Sequence, residues 1–273
     1  MLIPKATEFI LTYFYKYALI SARYAAFTGA LYVLVYVWKK RDLSRFKIQP
    51  IYPDKKHVIR EIRYSFLSLA IVAAMGVVVD ILRSNGYTKV YTQISARGWG
   101  YFGLSVLLFI VIHDAYFYWT HRIMHWKAIY PYVHKIHHLS TNPTPWAAFS
   151  FHPIEALVQA AILPLVAFLV PVHPLAILAW ILYQTGMNVM GHLGFEFFPS
   201  GFVSGRLTRW HNTSTHHNMH HKYINCNYGL YYNFWDRLLN TNHSRYVEEF
   251  EQVRKRAAAF SNDSPSSSGP SHA

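Results

Sequence analysis

The stretch His134-Lys-Ile-His137-His138 places three imidazoles at offsets of three and four residues, and His217-Asn-Met-His220-His221 repeats that spacing. A third group, His121-Arg-Ile-Met-His125, precedes both of them. Residues three and four apart share one face of a helix, so each stretch presents its rings in one direction. With 17 His among 273 residues, only about 0.07 such repeats are expected by chance. The repeated spacing predicts a metal site.

Adjacent imidazoles would repel one another if they were protonated, and a metal removes that repulsion by binding the neutral rings. The clustered histidines, together with His192, supply enough ligands for two ions and still leave open positions. Asn188, one turn before His192, is a candidate to complete the coordination shell directly or through a water, or else to pack between helices. The isolated His57, His173, His243 and His272 are interpreted as ordinary hydrogen-bonding groups.

The composition indicates lipid contact. The chain is 52% hydrophobic and only 14% charged, whereas a soluble domain is about a quarter charged. Helices buried in a large soluble core would need more charge on their outer faces. Apolar runs of near-spanning length cover residues 19–38, 66–82, 102–119, 154–170 and 175–190. The prediction is an all-α, polytopic membrane helical bundle, whose last two runs form a hairpin broken at Pro171-Val-His-Pro174.

Basic residues predict the orientation of the bundle. The segment from Lys39 to Arg63 is rich in Lys and Arg, while the loop from Ser84 to Gly100 has only Lys89 and Arg97. By the positive-inside rule the former is cytoplasmic, and all the histidine stretches then converge on the cytoplasmic side. The net charge of +13 suits anionic membrane lipids, and no nucleic-acid motif is visible. The single Cys226 excludes an intrachain disulfide and a thiolate-rich metal site.

The chain is interpreted as three regions. Residues 1–100 hold N-terminal membrane helices and the basic cytoplasmic segment, 101–245 form the catalytic region, and 246–273 are a basic and then disordered C-terminal tail, with disorder expected from Ser261 to Ala273. No cleavable signal sequence is recognisable, so the first apolar run is expected to remain as an anchor.

The residues alone indicate which reaction classes the site could catalyse, but they do not determine which metal it binds. Arg122 occupies the position of the general-base Glu in the His-Glu-x-x-His pattern of zinc proteases, so peptide hydrolysis is not expected. Imidazole suits zinc, copper, nickel and iron. Two metals held by neutral ligands at a membrane face favour activation of oxygen on a lipid over hydrolysis. The alternatives are a membrane metal-binding or transport protein, and a helical scaffold with incidental histidines.

Further motifs carry a resemblance to a known family. They are His113-Asp114 before His121, Asn142-Pro-Thr-Pro-Trp146, His152-Pro-Ile-Glu155, Asn227-Tyr-Gly229 and Trp235-Asp-Arg237. Together with the histidine stretches, and in this order, they resemble the fatty acid hydroxylase and sterol desaturase superfamily from about residue 102 to 241. Within the superfamily the chain looks most similar to sterol C5-desaturases. Residues 1–100 carry no matching motif.

The resemblance implies a membrane-bound, non-haem di-iron oxygenase that uses O2 and two external electrons to hydroxylate or desaturate a lipid C–H bond. A sterol-like substrate is favoured, with fatty acyl or carotenoid hydroxylation as the alternative. The electron donor would be an external cytochrome or a ferredoxin and reductase, and the membrane either the bacterial inner membrane or the endoplasmic reticulum. The implied ligands of the two iron ions are His121, His125, His134, His137, His138, His192, His217, His220 and His221. Some members have a further histidine where this chain has Asn188, so water or an open position is expected on one ion.

Four carboxylates are candidates to accept hydrogen bonds from the outer N–H groups of these ligands and so to fix their tautomers. They are Asp114, Glu155, Glu196 and Asp236. For Asp114 and Glu155 this role is preferred over helix capping or salt bridging. His211 and His216, beside the third stretch, are expected to be hydrogen-bonding or substrate-side groups rather than ligands.

Overall fold

A computed structural model describes residues 6–262 of the chain. Its α-helices are α1 (Ala6–Tyr32), α2 (Lys40–Leu43), α3 (Lys55–Ser84), α4 (Gly98–Met124), α5 (Tyr130–Val133), α6 (Lys135–His138), α7 (Pro153–Ala160), α8 (Ile162–Leu169), α9 (Pro174–Gly191), α10 (Ser214–Tyr223), α11 (Phe234–Leu238) and α12 (Tyr246–Asn262). Within these residues there is no strand, only two isolated bridges, Lys47 with Phe195 and His211 with Tyr232. The predicted all-α architecture is confirmed. Of the segment expected to be disordered, Ser261 and Asn262 are the last two residues of α12, and residues 263–273 lie outside the described residues.

Within residues 6–262, three segments are long and apolar enough to cross a membrane: Thr7–Trp38, Lys55–Ser84 and Gly98–Met124. The first continues α1 through a π-helical turn, Val33–Trp38. Large apolar side chains on these helices face outward, as in Leu107 and Val111, which are 61% and 64% exposed. Such a surface needs lipid around it. The chain is a membrane protein, as predicted from its composition.

The last two apolar runs are helical but shorter. The run 154–170 is divided into α7 and α8, and 175–190 lies within α9. Proline enters the first turn of α9, where His173 Nδ1 accepts the N–H of Leu175, while His173 Nε2 lies 3.0 Å from the carbonyl oxygen of Thr92. His173 therefore caps the second helix of the hairpin, in agreement with its interpretation as an ordinary hydrogen-bonding residue.

The basic segment from Lys39 to Arg63, which includes the start of α3, packs against the loop that follows His138. Lys47 Nζ donates to Asn142, the Arg60 guanidinium donates to the Leu139 carbonyl, and the Tyr36 hydroxyl lies 3.0 Å from the Leu193 carbonyl. These contacts join the ends of the long helices to the loops that carry the histidines. The basic segment and the histidine stretches therefore lie at the same end of the bundle.

The packing of α4 on α9 centres on one aromatic pair. Phe109 stacks on Trp180 with ring centroids 3.9 Å apart and planes inclined by 7°. Phe109 is 1% exposed and lies in a cluster with Ile162, Val166 and Ala176. This pair aligns α4, which ends in the first histidines, with α9, which ends just before His192.

Phe109→Ala is expected to destabilise the bundle by about 3 kcal/mol, because the surrounding side chains cannot fully close the cavity. The expected fall in Tm is about 6–12 °C in a thermal-shift assay of the detergent-solubilised chain. The control is Leu107→Ala on the outward face of α4, where lipid or detergent replaces the lost atoms and Tm should hardly change. Equal Tm values for the two variants would contradict this packing.

Candidate metal centre

The nine predicted ligands gather in two groups. One consists of His121, His125, His134, His138 and His220, and the other of His137, His192, His217 and His221. In each group one nitrogen per residue lies within 4.8 Å of the others, and every member is buried. Each group could hold a metal ion, with five imidazoles in one and four in the other.

The helical spacing explains how the histidines divide between the groups. Pairs at i and i+4 stay together: His134 with His138 in the five-histidine group, and His217 with His221 in the four-histidine group. The middle residue of each stretch crosses to the other group, because its ring leaves the helix at a different angle. The groups adjoin, with the ring centroids of His138 and His221 4.9 Å apart. Each short stretch thus links the two sites.

The spacing between inward nitrogens suits ligands around an ion. Nε2 of His121 lies 3.0 Å from Nε2 of His134, and Nε2 of His217 lies 3.1 Å from Nε2 of His192. Two imidazoles bound at about 2.1 Å and at right angles to each other would place their nitrogens about 3.0 Å apart. Both ring nitrogens of His125 and Nε2 of His220 are buried and lack a hydrogen-bond partner among the described residues. The two groups fit a bound metal, which would satisfy these atoms.

Backbone carbonyls hold the outward nitrogens. Nδ1 of His121 lies 2.8 Å from the Tyr228 oxygen, and Nδ1 of His220 lies 2.6 Å from the Cys226 oxygen. A carbonyl oxygen can only accept, so each of these rings carries its proton on Nδ1 and leaves the Nε2 lone pair directed inward. His192 is held in the same way by the carbonyl of its own helix at Asn188, with a distance of 2.7 Å.

Burial keeps these rings neutral. It lowers the pKa of His134, His137 and His138 well below the usual value, and repulsion between neighbouring imidazoles lowers it further. The same causes lower the pKa of His217, His220 and His221. Metal ions bind the neutral form of histidine, so the unprotonated state required of a ligand is already present near neutral pH.

Of the four candidate carboxylates, only Glu155 meets a ring of the two groups. Its Oε1 lies 2.8 Å from Nδ1 of His134, and both side chains are 1% exposed. Asp236 contacts no ring of the two groups and binds a loop next to them. It accepts the N–H groups of Tyr228 and Gly229, and so holds the loop whose carbonyl contacts His121.

Asp114 and Glu196 bind backbone instead of ligand rings. Asp114 accepts the N–H groups of Tyr231 and Tyr232, and Glu196 accepts those of Phe198 and Thr215. Buried loops leave N–H groups without helical partners, and a carboxylate satisfies two of them at once. Sequence spacing alone did not show that backbone N–H groups, and not histidine rings, bind these two carboxylates.

The Asn188 side chain binds a backbone carbonyl. Its Nδ2 donates to the Ala148 carbonyl. The backbone carbonyl oxygen of Asn188 accepts the hydrogen bond from His192 Nδ1. His216 lies outside both groups, with Nε2 3.1 Å from Asn242 Oδ1. His211 likewise lies outside them and pairs with Tyr232 in a bridge.

The remaining isolated histidines have local roles. His57 Nδ1 lies 2.8 Å from Asp54 at the start of α3, and His243 Nδ1 accepts the N–H of Arg245. His272 lies outside the described residues. Neither described residue approaches the metal groups.

A cavity of about 280 Å³ lies between the long helices, and two of its lining residues contact the histidine groups. Its walls are mainly aliphatic and aromatic, and they include Phe117 and Phe151. The ring centroid of Phe117 is 4.9 Å from that of His121, and the ring centroid of Phe151 is 5.1 Å from that of His137. An apolar chamber beside two metal groups suits a lipid whose C–H bond is brought to the ions.

Comparison with known proteins assigns the family. The family model described as fatty acid hydroxylase matches residues 106–241. A delta(7)-sterol 5(6)-desaturase of Schizosaccharomyces pombe is 30% identical over 218 residues, which cover 80% of this chain and 68% of that protein. The chain belongs to the fatty acid hydroxylase family.

Other members of the family match a smaller share of their length. A delta(7)-sterol 5(6)-desaturase of Gibberella zeae is 33% identical over 66% of this chain and 56% of its own length. Lathosterol oxidase of Homo sapiens is 31% identical over 67% of this chain and 60% of its own length. The chain thus spans somewhat more than half of these two relatives. No solved structure matches it significantly.

Sequence patterns did not reveal the structural role of the residues that allow backbone to pass close to the metal centre. A Cβ at Gly229 would lie 2.9 Å from Asp236 Oδ2, and a Cβ at Gly191 would lie 3.4 Å from the ring of His217. The loop that supplies the Tyr228 carbonyl also contains Asn227 with a positive φ of 56°. The only signal in the sequence was the motif Asn227-Tyr-Gly229, which the family resemblance had included without a stated role.

Glu155→Gln keeps the shape of the side chain but replaces the carboxyl group beside His134 Nδ1 with an amide. We expect metal affinity to fall at least about tenfold, because losing such an outer partner weakens a histidine ligand. The measurement is a metal titration of the full chain in detergent against a competing chelator. The control is Glu248→Gln on the surface of α12, where Glu248 pairs with Arg245 and no change is expected. Unchanged affinity in Glu155→Gln would show that Glu155 does not support His134.

Proposed function

We propose that this chain is a membrane-bound oxidoreductase that uses O2 and external electrons to desaturate or hydroxylate a C–H bond of a sterol-like lipid. The observation that carries the proposal is the adjacency of two buried histidine groups and an apolar cavity between membrane-crossing helices. Membership in the fatty acid hydroxylase family supports the reaction class, and the names of the sterol desaturase and lathosterol oxidase relatives support the substrate class.

The proposed cofactors are two iron ions, one in each group. His121, His125, His134, His138 and His220 would hold the first, and His137, His192, His217 and His221 the second. When bound, such ions supply redox activation of O2. An all-imidazole donor set fits iron, although it does not select iron over other transition metals.

The residues of the chain prepare and shield this chemistry. Carbonyls at Tyr228, Cys226 and Asn188 fix the ring tautomers, so the inward nitrogens need no rearrangement before they bind. The apolar walls at Phe117 and Phe151 keep bulk water from the lipid C–H bond and limit side reactions. Glu155 is proposed to orient His134, while Asp114 and Asn188 position the surrounding backbone.

Hydroxylation inserts one oxygen atom into the C–H bond, and desaturation removes two hydrogen atoms from neighbouring carbons. In both reactions O2 is reduced with two external electrons and two protons. The same ligand set serves either outcome, so the position of the lipid in the cavity decides between them. A fatty acyl or carotenoid hydroxylase of the same family is the alternative substrate assignment.

The proposed orientation places the metal centre on the cytoplasmic side. It rests on the basic segment from Lys39 to Arg63, which packs at the same end of the bundle as the histidines and is expected to stay cytoplasmic. Gathering the nine histidines at one end also disfavours a transport role, because a transporter distributes its ligands along a path through the bilayer.

The test is lipid analysis of cells that express the chain together with an electron donor. Substrate should gain about 16 mass units on hydroxylation or lose about 2 on desaturation. Sterols, fatty acyl lipids and carotenoids are compared with those of cells lacking the chain. His137→Ala should abolish the product while the variant stays in the membrane fraction, and the control His57→Ala should retain it.

Product formation by His137→Ala at the wild-type rate would refute the role of the second histidine group. A wild-type chain that binds metal and receives electrons yet changes none of the three lipid classes would refute the proposed activity.

A further inference from the structure

One arginine lies near the middle of the first membrane-crossing helix. Arg23 is half-buried on α1 and lines the cavity. It lies about 22 Å along the helix from Trp38 and about 24 Å from Thr7. No described residue forms a hydrogen bond or ion pair with its guanidinium. An ionised side chain at such a depth is costly and usually marks a functional site with its own partner.

The other charged groups of the cavity compensate one another. Lys16 lies two turns before Arg23 on the same face of α1, and its Nζ is 2.8 Å from Asp80 on α3. The lysine side chain passes over Gly76, where a Cβ would stand 3.5 Å from Lys16 Cδ. Asp80 is therefore already engaged. The charges lining the cavity leave an excess of one positive charge, at Arg23.

The cavity also offers a neutral donor. Gln159 lines it and makes no hydrogen bond with a described residue. The surroundings of Arg23 and Gln159 are otherwise dominated by residues such as Leu19, Ile20 and Leu163. A guanidinium with free N–H groups in apolar surroundings binds planar or tetrahedral oxyanions strongly, often through two parallel hydrogen bonds.

We propose that Arg23 binds an oxyanion carried by the lipid substrate, such as a carboxylate, sulfate or phosphate, and so makes the chain selective for acidic over neutral lipids. The inference rests on the proposed function, because it takes the cavity to be the substrate site. The same cavity reaches Phe117 and Phe151 beside the histidine groups. One lipid can therefore place its acidic end on Arg23 and a C–H bond near the metal centre.

The test uses the metal-free full chain in detergent and two probes that share a sterol body, cholesterol sulfate and cholesterol. Wild type should bind the sulfate more tightly. Arg23→Gln should weaken sulfate binding about tenfold, since a charge-assisted hydrogen bond is lost, and leave cholesterol binding within about twofold. Arg23→Lys keeps the positive charge but loses the planar guanidinium, so its affinity for cholesterol sulfate should lie between those of wild type and Arg23→Gln. It also provides a reading if Arg23→Gln does not fold.

The matched control is Arg63→Gln, at an exposed arginine on α3 outside the cavity, which should bind both probes as wild type does. Equal weakening of both probes in Arg23→Gln, or no weakening, would overturn the proposal, as would a wild-type chain that binds neither probe. Phosphatidylglycerol provides a further test. If it displaces cholesterol sulfate, and if its own binding is weakened by Arg23→Gln more than the binding of cholesterol sulfate is, the proposal is overturned, because Arg23 would then hold a membrane phospholipid. Binding is measured without metal, so loss of the proposed oxidation would leave this result standing.

Discussion

Nine neutral imidazoles held within two adjoining buried groups are the constraint on which the rest of the structure depends. Without a shared ligand their inward lone pairs face one another, and protonation would bring positive charges together in a buried site. A metal ion in each group, as proposed, would turn this repulsion into bonding. The fold around the groups therefore has to hold the rings neutral, correctly oriented and separated from water.

The membrane helices and the short loops have different roles in holding the histidines. The long helices provide a rigid frame, and the Phe109–Trp180 stack aligns α4 with α9. The loops provide carbonyl oxygens, at Tyr228 and Cys226, that fix the proton on the outer nitrogen of His121 and His220. Asp236 in turn fixes the loop by accepting two of its N–H groups. The helices position the groups, while the loops determine the direction of each lone pair.

Sequence patterns predicted what depends on spacing and composition. The eight clustered histidines, the all-α architecture and the apolar helices follow from periodicity and hydrophobicity. The full set of nine ligands, with His192, is what the family resemblance implies, and the structure brings all nine rings together. The roles of Asp114 and Asn188 were less accessible, because they depend on which backbone N–H or carbonyl lies nearby. The motif Asn227-Tyr-Gly229 marked this loop in the sequence. Backbone groups carry no residue-specific signal, however, so the contact of the Tyr228 carbonyl with His121 and the close approach at Gly229 are visible only in the structure.

The most direct measurement is the iron content of the purified full chain after loading with ferrous iron, compared between two double variants. His121→Ala with His125→Ala removes ligands from the five-histidine group, and His217→Ala with His221→Ala removes ligands from the four-histidine group. If each group holds one ion, wild type binds two per chain and each double variant loses one of them. Wild-type iron content in both double variants, or no bound iron in the wild type, would contradict the two-site account.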